Sequence, residues 1–296
     1  MRAHITRTTS SRATPYLYVL PALLVCLFII ISPLVVSLLL SFFNFSGYDR
    51  NYFKEFVGLD NFRTMYQDRY FWIALRNTLY FTASVTTVQI AIALFFAIII
   101  FFGNFRNSVL LRTIIFVPGV LAPVSISLAW RKILEQGGVL NRILNIDFSW
   151  LSSVQLAIWI VIFVSIWQWL GYNLLILYAG LQSLDIQMLE AADMDGASWT
   201  RKIFEVVIPS IVPTIVLNVV INVISAFRVF DIVYVLTRGG PVHNSEVLTT
   251  LMYYYSFSAN GPNKMGVGSA IAMVLFLVMV AFGVIRTGWL RRGSRS

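Results

Sequence analysis

Charged residues are scarce in this 296-residue sequence: they make up 12% of it, against about 25% in an ordinary soluble domain. Hydrophobic residues make up 58%, and the mean hydropathy is +0.78. So little charge cannot solvate the surface of a water-soluble chain of this length, so most side chains must face lipid or other helices. Composition therefore excludes soluble domains, and we expect one polytopic membrane domain.

Residue types that build catalytic and metal sites are also nearly missing. Cysteine occurs once, as Cys26, so the chain can form no internal disulfide and offers at most one thiolate ligand. The histidines are His4 and His243, and neither a Gly-x-Ser-x-Gly elbow nor a Gly-x-x-x-x-Gly-Lys-Ser/Thr phosphate loop is present. We therefore expect a protein that is not an enzyme and that itself binds no metal, ATP or other cofactor.

The charge that is present is mostly positive, with a net charge of +9 and a pI of about 9.8. Nucleic-acid binding is one interpretation of such a balance. The basic residues are spread over many short loops, however, and are densest in the two tails. Contact with anionic lipid headgroups explains that distribution better, so we expect membrane lipid as a partner and no nucleic acid.

Six apolar stretches reach the roughly 20 residues that a membrane-spanning helix requires. They cover residues 16–43, 78–102, 110–130, 154–177, 209–230 and 267–285. Pro21 and Pro33 in the first stretch predict kinks. That stretch is too long for a signal-peptide core and no small-residue cleavage site follows it, so we expect a retained helix. The predicted fold class is all-α integral membrane with six transmembrane helices.

The orientation follows from the tails, because six spans place both termini on the same side. Lys and Arg are divided evenly between the two faces, but both tails carry arginine and no acidic residue. Basic tails favour the cytoplasmic side. We thus expect cytoplasmic tails at 1–15 and 289–296, a transmembrane domain at 16–288, and outer loops at 44–77, 131–153 and 231–266.

The inner loop at 183–209 carries helix start and stop signals. Asp185 is a good N-cap, residues 188–194 propagate a helix, and Asp195-Gly196 ends it because glycine accepts the left-handed conformation. Ser198 or Asp195 can cap a second helix, and Pro209 turns the chain into the fifth span. These signals predict a helical elbow at the cytoplasmic surface, which is either an ordinary interfacial helix or a docking element for a soluble partner.

The same loop resembles the EAA loop of membrane subunits in binding-protein-dependent ABC importers. That motif reads Glu-Ala-Ala, three residues, Gly, nine residues, Ile-x-Leu-Pro, and it precedes the penultimate span. Here Glu190-Ala191-Ala192 is followed by Gly196 and by Val206-Val207-Ile208-Pro209, with Val for Ile and Ile for Leu as mild departures. The resemblance implies an ABC importer permease fold in which Glu190, Ala191, Ala192, Asp195 and Gly196 contact an ATPase through a coupling helix between spans four and five.

A second stretch resembles the carbohydrate-uptake branch of these importers. It runs from Phe230-Asp231 through Tyr234 and Thr237 to Gly239-Gly240-Pro241. This branch includes the larger membrane subunit of the maltose transporter and the sugar-phosphate and multiple-sugar permeases. The extra N-terminal spans and large outer domain of the maltose subunit are absent here, so the shorter permeases are the better comparison and maltose itself is not implied.

The resemblance also implies partners and a location. It implies a paralogous membrane subunit, two copies of a cytoplasmic ABC ATPase that binds ATP and Mg²⁺, and an extracytoplasmic solute-binding protein. The location implied is the cytoplasmic or inner membrane of a bacterium or archaeon.

Polar and aromatic residues occupy one side of spans four and five, which favours a solute pathway there. The candidates are Gln168, Trp169, Tyr172, Asn173, Asn218, Asn222 and Ser225. Amides and hydroxyls bind sugar hydroxyls, and aromatic faces stack on sugar C–H groups. The alternative is hydrogen bonding between helices, at about 0.6 kcal/mol per bond. Arg228 can attract an anionic solute, snorkel, or pair with Asp231.

The rival function is a stand-alone secondary carrier or channel for a small polar solute. Ion-coupled carriers usually have membrane-embedded carboxylates or broken helices in both halves. Neither feature is evident in this sequence. The favoured hypothesis is therefore half of the translocation pathway of an ATP-driven importer for a sugar or sugar-like solute.

Overall fold

The computed structural model describes residues 14–47, 53, 55–103, 105 and 107–293, and this part of the chain is helical apart from short loops and one isolated bridge between Phe43 and Phe56. The helices are α1 (Thr14–Val25), α2 (Ser32–Leu40), α3 (Asp60–Gln67), α4 (Arg69–Phe102), α5 (Ser108–Val120), α6 (Pro123–Leu134), α7 (Val139–Leu144), α8 (Ala157–Gln182), α9 (Ile186–Met194), α10 (Trp199–Arg201), α11 (Ile208–Ser210), α12 (Val212–Phe227), α13 (Asp231–Leu236), α14 (Leu248–Phe257) and α15 (Met265–Gly293). Wider π-helical turns cover Cys26–Ile31 and Lys202–Val207. The predicted all-α fold class is confirmed.

Four helical segments of the described residues are long and apolar enough to cross a membrane. They are Tyr18–Leu40, Arg69–Phe102, Ala157–Gln182 and Met265–Val284. Two further segments are bent pairs: Ser108–Val120 with Pro123–Leu144 at 94°, and Trp199–Ser210 with Val212–Phe227 at 66°. The number of spans reaches the predicted six if each bent pair crosses the membrane once.

Several boundaries differ from those predicted. Helix α4 starts at Arg69, not near residue 78, because the Asp68 carboxylate caps it by accepting a hydrogen bond from the Tyr70 amide at 2.9 Å. Helix α15 continues to Gly293, into the stretch expected to be a tail at 289–296. Residues 1–13, most of the expected N-terminal tail, lie outside the described residues.

The third predicted span is not one straight helix. Pro118 lies inside α5, and the chain is extended at Leu121 and Ala122, directly before Pro123. A residue that precedes proline avoids the helical conformation because the proline ring crowds it. The break frees backbone groups, and Gln168 Nε2 of α8 donates to the Leu121 carbonyl at 3.2 Å. A neighbouring helix therefore satisfies the broken backbone, as an apolar environment requires.

Both π-helical turns end two residues before a proline, Pro33 or Pro209. Proline has no N–H, and its ring collides with the carbonyl four residues earlier. In each turn the amide that precedes the proline bonds five residues back, from Ser32 to Leu27 and from Ile208 to Ile203. The wider turn keeps the helix continuous through the proline, so these residues distort the helices without ending them.

Close approach of α8 to its neighbours fixes the centre of the molecule. A Cβ at Gly171 would lie 2.3 Å from the Ile115 carbonyl oxygen of α5, and one at Gly180 would lie 2.8 Å from Thr214 Cγ2 of α12. Small residues allow such contact between helices in a membrane, where packing drives association. Buried Leu174, Leu177 and Leu181 complete the contact of α8 with α4 and the end of the inner loop.

The span Tyr18–Leu40 has little contact with the rest of the chain. Only 6% of its most apolar window is buried, and its core contact is the packing of α2 against α15. This apolar surface is thus available to lipid or to another membrane subunit.

We expect Gly171→Ala to separate α5 from α8, because the new methyl group meets backbone that cannot rotate away. Overpacking of this kind costs about 1–3 kcal/mol, which would appear as a lower thermal unfolding midpoint of the protein in detergent. Gly283→Ala is the control, since its Cβ would meet nothing within 4 Å. Equal midpoints for the two variants would contradict this account of the helix contact.

Candidate functional site

The inner loop at 183–209 forms the predicted elbow of two helices. The first, α9, begins after Asp185, whose carboxylate accepts a hydrogen bond from the Gln187 amide at 2.9 Å. It ends at Gly196 with φ +71°, where the Ala197 amide bonds the Ala192 carbonyl at 3.0 Å and the Gly196 amide bonds the Asp193 carbonyl at 3.1 Å. This pair of bonds is the Schellman motif, and the predicted stop signal is confirmed.

The second half of the elbow is capped by Ser198, whose hydroxyl accepts from the Arg201 amide at 3.4 Å. Short helices and the π-helical turn then continue to Ser210. An ion pair between Lys202 and Asp193 joins the two halves, and the Trp199 ring packs edge-on against Phe102 at the end of α4, with centroids 4.7 Å apart. The elbow is therefore fixed both within itself and to the spans.

Apolar side chains anchor the elbow beneath the helix bundle. Leu184, Leu189, Ile203 and Val207 pack in one cluster with the C-terminal halves of α4 and α8. Asp185 lies three residues after the end of α8, and α12 begins two residues after the short helices of the elbow end at Ser210. The elbow is therefore attached to both helices.

The residues of the Glu-Ala-Ala-x-x-x-Gly pattern face outward. Glu190, Ala191, Asp195 and Gly196 are exposed and Ala192 is half-buried. A Cβ at Gly196 would meet nothing within 4 Å, so its positive φ, and not crowding, favours glycine there. The structure leaves this surface open to a partner, and whether it binds an ATPase stays a prediction.

A cavity of 430 Å³ lies between α4, α8, α12 and the start of α13. Its wall combines amides and hydroxyls with aromatic rings and two charges. The polar and aromatic lining residues are Phe81, Gln89, Ser165, Trp169, Tyr172, Asn173, Asn222, Ser225, Arg228, Phe230 and Asp231. Its size is within the usual range for small-molecule sites, about 300–1,000 Å³.

The cavity brings together most of the predicted pathway residues. Trp169, Tyr172, Asn173, Asn222 and Ser225 line it. The other two predicted residues, Gln168 and Asn218, are fully buried beside it and do not belong to its lining. Their place in a pathway stays a prediction.

A chain of amides orients the polar wall. Asn222 Nδ2 donates to Asn173 Oδ1, to the Asn218 carbonyl at 2.9 Å and to Asn218 Oδ1 at 3.1 Å. Asn173 Nδ2 in turn donates to the Trp169 carbonyl at 2.9 Å. These bonds use the donors of Asn222. No donor among the described residues reaches its Oδ1, which leaves that oxygen available to accept a hydroxyl from a solute.

Gln89 of α4 is a polar lining residue that was not predicted from the sequence. Its Nε2 donates to the Ile166 carbonyl at 3.2 Å, and its Oε1 has no partner among the described residues. The buried Thr82 and Thr86 hydroxyls on the same helix also lack partners there. The spacing of these residues at three and four positions places them on one helix face, and that spacing is the signal by which they could have been found.

The loop after α13 holds a buried acidic residue. Glu246 is 2% exposed and its Oε2 lies 2.7 Å from His243 Nδ1. Asn77 Nδ2 of α4 donates to the Asn244 and Glu246 carbonyls at 2.7 and 2.9 Å. Within the described residues no group of three or more His, Cys, Asp or Glu is placed to hold a metal ion. The Asn77 bonds hold this loop against the N-terminal part of α4.

Comparison with known proteins agrees with this architecture. Residues 65–295 match the family of the binding-protein-dependent transport system inner membrane component. The chain is 31% identical to "Probable ABC transporter permease protein YurN" of Bacillus subtilis (strain 168) over 292 residues, which cover 96% of this chain and 98% of that protein. It is also 31% identical to the "sn-glycerol-3-phosphate transport system permease protein UgpA" of Escherichia coli (strain UTI89 / UPEC), over 91% of this chain and 92% of that one.

A solved structure shares the fold. A chain in the crystal structure of a bacterial ABC transporter involved in the import of the acidic polysaccharide alginate aligns with a TM-score of 0.81, at 20% identity, over 94% of this chain and 95% of that one. The family match covers more than half of the chain, and the relatives match over nearly their whole length. The protein thus belongs to the family of binding-protein-dependent transport system inner membrane components.

Proposed function

We propose that this chain forms half of the translocation pathway of an ATP-driven importer and couples it to a cytoplasmic ATPase through the 183–209 elbow. The attachment of the elbow to two helices that line the cavity supports this proposal. The elbow is packed onto the C-terminal half of α8 and leads into α12, and both helices line the 430 Å³ cavity. A movement imposed on the elbow therefore moves two walls of the cavity.

The exposed face of α9 supports docking to a soluble partner. Ile186, Glu190 and Met194 recur at intervals of four residues and share one face. Ile186 is 67% exposed and Met194 is 89% exposed. Solvent-exposed apolar residues grouped beside a carboxylate are typical of an interaction surface. Docking of a short amphipathic helix into a groove on a partner is a common recognition mode.

The chemistry of the cavity favours a sugar or sugar-like solute. Amide oxygens and hydroxyls supply directional partners for sugar hydroxyls, and Trp169 and Phe230 offer ring faces for C–H stacking. The name of the E. coli relative assigns it sn-glycerol-3-phosphate, a small polyhydroxylated solute. The same class is our proposal for this chain.

The complete machine contains other chains in this proposal. A paralogous membrane subunit supplies the other half of the pathway, two ABC ATPase copies bind and hydrolyse ATP with Mg²⁺, and a solute-binding protein docks on the outer loops. Both tails of this chain are then cytoplasmic, in the inner membrane of a bacterium or archaeon.

Glu190→Lys and Gly196→Trp should separate ATP hydrolysis from transport, because both alter the exposed elbow without reaching the cavity. In proteoliposomes containing the assembled transporter, we expect ATP-dependent uptake to fall about 5- to 150-fold, as the loss of a coupling free energy of about 1–3 kcal/mol implies. Uptake and ATP hydrolysis are measured on the same vesicles.

Asn107→Lys is the matched control, since it adds a positive charge at an exposed position outside both the elbow and the predicted outer loops. It should leave uptake per ATP unchanged, and all variants should be recovered in the membrane in wild-type amounts. Normal coupled uptake by both elbow variants would refute the proposed function.

Asn222→Leu should weaken solute recognition because it removes an amide oxygen from the cavity wall. Loss of one hydrogen bond of about 0.5–1.5 kcal/mol predicts roughly a 2- to 13-fold rise in the KM of uptake. Asn218→Leu breaks the same bond between the two amides but changes no lining residue, so it is the control for loss of that bond: an equal rise in KM would assign the effect to the bond and not to the lining oxygen of Asn222. An unchanged KM for Asn222→Leu would remove this residue from the solute site.

A further inference from the structure

Two charged residues, Arg228 and Asp231, line the cavity where α12 ends and α13 begins. The sequence allowed them to neutralise each other as an ion pair. In the described part of the chain, however, the ion pairs are Lys132–Glu135, Arg201–Glu205, Lys202–Asp193 and His243–Glu246. Neither Arg228 nor Asp231 is paired, and both side chains are exposed.

The guanidinium N–H groups of Arg228 also have no hydrogen-bond partner among the described residues. Among the described residues the backbone amide of Arg228 bonds the Ser225 carbonyl at 3.2 Å, and no hydrogen bond is formed by its side chain. An arginine presents five N–H donors in a planar fork that fits a carboxylate or a phosphate with two parallel bonds. A charge on the wall of a cavity also acts more strongly than one in open water, because the surrounding protein excludes part of the solvent.

We propose that the transported solute carries an anionic group, a carboxylate or a phosphate, and that Arg228 binds this group. This inference rests on the proposed function and adds the charge class of the solute. The hydroxylated part of the solute then faces Asp231, which accepts hydroxyl hydrogen bonds, and the free Oδ1 of Asn222. The rings of Trp169 and Phe230 cover its C–H faces.

A structural role for Arg228 makes a different prediction. A cation at the C-terminal end of α12 stabilises that helix through its dipole. Loss of such a role would lower the stability of the helix and would not change which solutes bind. Discrimination between charged and neutral solutes therefore separates the two roles.

The test measures binding to the purified membrane complex without ATP and without the solute-binding protein, whose own selectivity would mask that of the cavity. The probes are two matched sets: glycerol, glycerate and glycerol 3-phosphate, and glucose, glucuronate and glucose 6-phosphate. We expect at least one anionic probe to bind wild type about tenfold or more tightly than its neutral partner, as a charge-assisted hydrogen bond predicts. The carboxylate and phosphate members show which anion is preferred.

Arg228→Gln should abolish this preference and leave binding of the neutral probe within about twofold. Arg228→Lys keeps the charge but loses the fork, so its preference should be intermediate. Arg142→Gln is the control, because it removes an exposed arginine that does not line the cavity, and it should bind all probes as wild type does.

The proposal is overturned if no anionic probe binds wild type more tightly than its neutral partner, or if Arg228→Gln keeps the preference. Either result is separate from the failure of the proposed function. That failure would be an assembled wild-type transporter that shows no ATP-dependent uptake of any solute.

Discussion

The close contact of α8 with α5 and α12 is the constraint on which the rest of the structure depends. A side chain at Gly171 would collide with the backbone of α5, and one at Gly180 would collide with the Thr214 side chain of α12. Because α8 is held this tightly, its middle turns present Asn173 and Trp169 to the cavity while its C-terminal half supports the elbow. One helix thereby connects the two parts of the molecule that the proposed function needs.

Proline distortions are tolerated around this helix because neighbouring groups satisfy the freed backbone. The Gln168 amide bonds the Leu121 carbonyl at the break between α5 and α6, and the π-helical turn before Pro209 keeps its amides paired. In lipid an unpaired backbone group is costly, so these bonds are what allow bent helices beside the cavity. A fully buried side chain such as Gln168 can therefore serve the site by supporting the backbone around it.

The elbow could be predicted because its signals are local in the sequence. The cavity could be predicted only in part because it depends on contacts between residues far apart in the sequence. The cap at Asp185 and the stop at Gly196 act within a few residues, so the sequence showed them directly. The break after Pro118 and the lining role of Gln89 depend on which helices become neighbours, and a single sequence does not contain that information. The same limit applied to Arg228, whose pairing with Asp231 depends on how the chain turns between α12 and α13.

The central claim is that the state of the ATPase at the elbow sets access to the cavity. With Cys26 replaced by serine, Ser225→Cys places a single cysteine in the cavity wall, and a membrane-impermeant maleimide reports its exposure to the outside. The account predicts that ATP binding to the assembled transporter changes the labelling rate, and that Gly196→Trp abolishes the change. A labelling rate that is the same with and without ATP would contradict it.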